Sequence, residues 1–340
     1  MRTLLLALLF PLWLVSPALH AQLEKTDVHI AVGGKSGLYY LPLVLTERLN
    51  YFKDEGLNVR ISDFAGGTRS LEAVVGGSAD VVAGAYEHTI NMQSRKQSFQ
   101  AFVLAGASPQ ISVAISSKLA DKYKSPKDLK GLKVGVSAPG SSTNMVVNYL
   151  LAQGGLKPTD VAIIGIGAGA SVIAAMDQGR VDVVSQTDPA VTMLEKDGKV
   201  KLIAETRTPE GTQKLFGGPM PASSLYAPLE FIRKNPNTVQ ALANAMVRTL
   251  DWMQDATPQQ ILDTVPEEYL LGNKAMYLFA YNNVKTAYSK DGYFSEAGAK
   301  TTLKALASFN ENIKPGSINL AQTYTNEFVK KAHAKYDKKK

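Results

Sequence analysis

Val28-His29-Ile30-Ala31-Val32 is an apolar, partly β-branched run that breaks at Gly33-Gly34-Lys35-Ser36-Gly37 and passes into helical periodicity over 39–49. A short strand, a glycine-rich loop and a helix in that order open a βα unit. The order recurs, with strands expected at 57–61, 81–83, 101–104 and 111–115 and helices at 68–75 and 88–95. After Ser125-Pro126 it resumes with strands at 133–136, 162–164, 182–184 and 201–204 and helices at 142–152, 170–178 and 189–196. From Pro228 onward the pattern is almost wholly helical, at 229–234, 237–254, 258–264, 273–288, 296–310 and 321–334. This alternation predicts an α/β fold of mostly parallel sheets flanked by helices, with a helical C-terminal segment.

Two alternating sets followed by helices suggest two lobes joined by two crossings. Lobe 1 is expected over 22–110 and 226–340, lobe 2 over 117–219, and hinge crossings at 111–116 and 220–225. A cleft between lobes is the default place for a small molecule.

The chain has 340 residues, 45% of them hydrophobic, and no cysteine. That length suffices for a large core without cross-links. The missing cysteines exclude thiolate zinc sites, iron–sulfur clusters and a cysteine nucleophile. At the N-terminus, Arg2 precedes an apolar run over 4–15 interrupted by Pro11, then Ser16-Pro17-Ala18-Leu19-His20-Ala21. This is the pattern of a secretory signal peptide cleaved near Ala21, and the run is too short for a spanning helix. Export to the periplasm as a monomer free in solution is expected, and with no cysteine at the cleavage site a lipid anchor is not. Loss of Arg2 lowers the formal net charge of +7 by one. Much of the excess lies in Lys330, Lys331, Lys335 and Lys338-Lys339-Lys340, read as a solvated tail rather than a nucleic-acid surface.

Five loops that follow strands and open helices are rich in glycine or hydroxyls: 33–37, 65–68, 84–86, 138–143 and 165–170. Ligands of open α/β sheets sit at these strand ends, and a helix N-terminus favours negative charge. Singly, each loop reads as capping and turn chemistry; together they point to an anion-binding cleft. Two lookalikes fail. Gly34-Lys35-Ser36 would need an earlier glycine where His29 stands, and in Gly165-Ile166-Gly167-Ala168-Gly169-Ala170 the third glycine comes one position early. The catalytic inventory is thin. His29, His88 and His333 show no paired-ligand spacing, no metal or other cofactor is called for, and no nucleophile elbow is present. His88, in a loop expected to face the cleft, is the histidine best placed to touch a ligand.

Tyr51-Phe52-Lys53-Asp54-Glu55-Gly56-Leu57-Asn58-Val59 resembles the signature of periplasmic substrate-binding proteins of the nitrate/sulfonate/taurine ABC-importer group. Further matching stretches follow in order at 66–67, 71–77, 79–81, 128–136 and 231–236, so the resemblance covers about residues 27–260. It implies the two-lobed type II periplasmic binding fold, capture of a small anion without chemistry, and delivery to an inner-membrane permease with its ATPase. It also implies ligand contacts from Ser36, Gly37 and Tyr39, from Gly67, Thr68 and the neighbouring Arg69, and from Ala85 and Tyr86, beside which the loop reading sets His88. Gly140, Ser141, Ser142, Thr143 and Asp188 complete the set. Tyr39 and Tyr86 suit stacking on a planar ligand, and Asp188 suits either a helix cap or a ligand amine. Thiamine-pyrimidine synthases resemble this group in fold, but carry a cysteine-rich motif that this chain lacks. The expected solute is a sulfonate, taurine, nitrate or an aromatic carboxylate. A pyrimidine vitamin precursor, a cleft enzyme and a sensor subunit stand as alternatives.

Overall fold

The computed structural model describes residues 22–336; the expected leader at 1–21 and the end of the lysine tail at 337–340 lie outside them. The strands are β1 (Asp27–Gly33), β2 (Asn58–Phe64), β3 (Val81–Ala85), β4 (Phe99–Leu104), β5 (Ile111–Ser116), β6 (Lys133–Val136), β7 (Ala162–Gly165), β8 (Val183–Thr187), β9 (Val200–Glu205) and β10 (Ser223–Pro228). They form two five-stranded sheets of order β2-β1-β3-β10-β4 and β7-β6-β8-β5-β9. β1 runs parallel to β2 and β3, and β6 parallel to β7 and β8. β10 and β5 run antiparallel to their neighbours. The architecture is the α/β fold of mostly parallel sheets flanked by helices that the alternation predicted.

β1 shows why such apolar runs make inner strands. Val28, Ile30 and Val32 pack into one cluster with Leu43, Val81 and Leu242, while Ala31 faces a second cluster on the other side. A strand covered on both faces reads as continuously apolar rather than alternating. Further along, the helix Pro236–Asp255 lays Val239, Leu242 and Met246 against the first sheet, and the helix Glu327–Tyr336 adds Phe328 and Val329 to that cluster. Each such side chain contributes ~1.5–3 kcal/mol by leaving water.

The two reversed strands correct the expected crossings. Residues 111–116 are β5, inside the second sheet, and the second half of 220–225, residues 223–225, belongs to β10 in the first. The chain therefore passes between the sheets over 105–110 and returns over 206–222. A strand arriving from the other sheet enters from the opposite end, which is why each runs backward. These segments are bonded together, with Gln110 N–H to the Thr206 carbonyl at 2.9 Å and Gly106 N–H to the Ser223 carbonyl at 2.9 Å. Gln110 has φ 55°, a left-handed conformation uncommon for a residue with a side chain.

The helical segment also reaches beyond the first sheet. The helix Glu296–Ala307 touches both Glu87–Ser94 and Ser142–Gln153. Lys196 Nζ stands 4.1 Å above the Phe279 ring, and Asn283 donates to Thr192 at 3.4 Å. One apolar cluster runs through both sheets, from Val82 and Tyr86 to Val113, Val134 and Val183.

Candidate functional site

The starts of two helices from opposite sheets meet at one small cavity. Gly67–Val75 follows β2 and Ser142–Gln153 follows β6, so both begin at the carboxyl ends of parallel strands. The loops can touch because their glycines carry no side chain. A Cβ on Gly33 would stand 2.2 Å from the Gly66 carbonyl carbon, and one on Gly66, where φ is 142°, would stand 2.8 Å from Ala138 Cβ. Ser141 is the N-cap of its helix, yet its hydroxyl forms no bond to that helix. It accepts instead from the N–H of Thr68, at 3.1 Å, and lies 3.2 Å from the Thr68 hydroxyl. On the other flank Leu38 N–H donates to the Asp188 carbonyl at 2.8 Å. The sheets are thus closed on one another.

The enclosed space is about 30 Å³, lined by Tyr39, Tyr40, Gly67, Ser137, Ser142 and Gln186 among others. That is room for about one or two waters with the sheets in this contact, so a solute the size of taurine needs them further apart than they stand here. None of its lining residues is basic. A helix start carries backbone N–H groups that the helix leaves unsatisfied, and here the one on Thr68 is taken by Ser141.

Glu87, which interacts with Ser142 of the cavity wall, is a titratable group that sequence reasoning missed. It is 2% exposed at the start of the helix Glu87–Ser94. Burial pushes its carboxyl up to about 7, and the hydroxyl of Ser142 draws it part of the way back. Ser142 also faces Tyr39, whose phenol burial holds well above its ordinary value. Neither Glu87 Oε1 nor the Tyr39 hydroxyl has a hydrogen bond of normal geometry. A buried glutamate carries no sequence signal distinct from an acidic residue in a helix's first turn. Ser137 and Gln186 were also missed, although their places at the ends of β6 and β8 satisfy the strand-end rule.

The other expected contacts divide. Tyr39, Gly67, Ser141, Ser142 and Thr143 line the cavity. Within it, Thr143 Oγ1 is committed to the N–H of Ser137 at 3.0 Å and its hydroxyl at 2.9 Å. Ser36 and Gly37 back the loop, facing Gly169 and Thr187. Arg69 points away and pairs with Glu72 at 2.8 Å, with 64% of its side chain exposed. Ala85 and Tyr86 are core residues, and the Tyr86 hydroxyl is held by Thr323 at 2.6 Å. Ala85, the last residue of β3, packs into one core cluster and Tyr86, at the start of the next helix, into the other. Asp188 is buried against Arg207 Nε at 2.8 Å and accepts from Thr192 N–H at 2.8 Å, so it caps its helix. Thr68, His88 and Gly140 line a separate neighbouring cavity.

A model of the NMT1-like family matches residues 21–264. A solved structure from Bordetella bronchiseptica is 52% identical, with a TM-score of 0.91 over 93% of this chain and 99% of that one. The alkanesulfonate-binding protein SsuA from Xanthomonas axonopodis, bound to MOPS, shares the fold at 17% identity, with a TM-score of 0.67 over 89% of this chain and 99% of that one. The taurine-binding periplasmic protein of Escherichia coli is 26% identical over 197 residues, 58% of either chain.

Proposed function

The chain belongs to the NMT1-like family, and on that footing we propose that it is the exported solute receptor of an ABC importer. It captures a small anion between its sheets and presents it to a membrane permease and ATPase. The observation that carries this reading is the meeting of two helix starts, Gly67–Val75 and Ser142–Gln153, from opposite sheets at one polar cavity. Backbone N–H groups there give a sulfonate, nitrate or carboxylate several donors without a competing proton. No residue acts as acid, base or nucleophile in this reading, so binding and not turnover is the output.

A ligand amine is favoured by a second observation, the buried Glu87 carboxyl beside Ser142. A solute with an anionic end and an ammonium end satisfies the helix starts and the carboxyl together. Taurine is therefore the first compound to test, with ethanesulfonate and nitrate as anions lacking the amine.

The lobes hinge over 105–110 and 206–222, and a ligand touching both sides stabilises the closed form through its greater affinity for that form. Calorimetry with the three probes, paired with solution scattering, tests both steps. Micromolar binding with a more compact scattering profile is the expected result. Binding without compaction removes the hinge; no binding of taurine, ethanesulfonate or nitrate removes the proposed solute class.

A further inference from the structure

Beside the helix-start cavity lies a larger one of about 180 Å³, enclosed by the helices Gly67–Val75, Glu87–Ser94, Ser142–Gln153 and Glu296–Ala307. The contact between Thr68 and Ser141 divides the two. Its wall is apolar at Leu71, Met92, Met145 and Phe309, and polar at His88, Arg95 and Asn148.

His88 is 3% exposed, and its Nε2 has no hydrogen-bond partner. Its Nδ1 lies 2.7 Å from the hydroxyl of Tyr226, which is fully buried. With its proton on Nε2 the neutral imidazole accepts at Nδ1 from the phenol, and with its proton on Nδ1 it donates to the phenol; in both tautomers Nε2 is the ring nitrogen without a partner. Burial and the nearby Arg95 hold the imidazole neutral, down to about 4. The result is a buried ring nitrogen lacking a partner, an N–H donor when Tyr226 donates to Nδ1, at the wall of a cavity whose one cationic side chain, Arg95, has no carboxylate partner among the described residues. A donor and a cation at one end and thioether and aromatic surface at the other complement an organic acid.

We propose that this cavity is a second binding site, separate from the helix-start cavity, for a small carboxylate with an apolar body of about one ring. His88 Nε2–H and the Arg95 guanidinium take the carboxylate, and Leu71, Met145 and Phe309 cover the body. This site is independent of the solute proposed above.

The probe is benzoate, titrated calorimetrically into the full-length mature protein, with benzamide as its uncharged counterpart. Benzoate is expected to bind and benzamide to bind at least about tenfold more weakly, a difference of about 1.4 kcal/mol. Arg95→Ala, which changes an exposed side chain, and Met145→Trp, which fills the cavity, should each weaken benzoate by about tenfold or more. Ser142→Ala, at the helix-start cavity, should leave it unchanged. Nitrogen NMR should show the His88 Nε2 resonance moving with benzoate, a readout available if Met145→Trp does not fold. No benzoate binding at millimolar concentration, or an unshifted His88 resonance on saturation, overturns the proposal. Loss of binding in Ser142→Ala equal to that in Arg95→Ala also overturns it, because benzoate would then occupy the helix-start cavity.

Discussion

The hydroxyl of Ser141 accepts the backbone N–H of Thr68 at 3.1 Å, joining the start of one sheet's helix to the start of the other's. An N-cap serine ordinarily satisfies its own helix. Here the hydroxyl is used across the cleft, which makes a local capping residue part of the closure.

Ser141→Ala should therefore loosen closure more than it loosens the fold. The lost bond is worth about 0.5–1.5 kcal/mol, because solvent replaces it in the open form. Solute affinity should fall up to about tenfold while the melting temperature changes little. Calorimetry and thermal melts on the same preparation check this, and an equal loss in both would make Ser141 a plain stability residue.

Glu87 predicts a pH dependence of stability. Its folded pKa, about 7, exceeds the ordinary 4.5, so the folded state holds the proton more tightly than the unfolded chain. The stability contributed by the neutral carboxyl is complete below about 4.5 and is lost as pH rises through about 7. His88 acts with the opposite sign, its lowered pKa destabilising the fold as pH falls toward about 4. Comparison with Glu87→Gln isolates the first effect. The variant should gain stability relative to the native protein with rising pH, by on the order of 3 kcal/mol above neutrality. Denaturant melts across that range measure it, and a constant difference would mean that Glu87 is solvated in solution.

The same carboxyl predicts opposite pH trends for two solute types. Nitrate and ethanesulfonate should bind more weakly as pH rises through about 7, since an ionised Glu87 beside Ser142 repels them. Taurine, whose ammonium can pair with the carboxylate, should not weaken in step. Glu87→Gln should flatten the nitrate profile. Flat profiles for nitrate in the native protein would show that bound solute lies beyond the reach of Glu87.

Asp188 predicts a loss of stability without a change in selectivity. Asp188→Ala strands Arg207, which the structure holds with only 6% of its side chain exposed. Removing one partner of a buried pair costs about 3–5 kcal/mol. Glu195 and Glu205 also pair with Arg207, at 3.1 and 3.6 Å, so the lower part of that range is expected. The melting temperature should drop sharply, with the order of affinities among taurine, ethanesulfonate and nitrate preserved. A reordered series would return Asp188 to the ligand.

Much of the architecture was legible along the chain because its causes are local. Val28–Val32 had the composition of a doubly covered strand, and the residues after it had the spacing of a helix. β10 was harder to read because Ser223, Ser224 and Pro228 dilute its apolar signal, and the pairing that makes it a strand comes from β3 and β4. Tyr86 and Asp188 illustrate the limit at the site. Both stand in loops at strand ends, yet one is claimed by Thr323 and the aromatic core, the other by Arg207.

By itself the sequence determined the βα alternation, the glycines that let loops approach, and the hydroxyl-rich helix starts, since propensity, periodicity and capping act within a few residues. The tertiary structure decided which strands run backward, which hydroxyls face the opposite sheet, and that Glu87 and His88 leave water. Burial and long-range partnership depend on what the rest of the chain brings to a point in space, and Ser141 meets Thr68 across 73 residues of sequence.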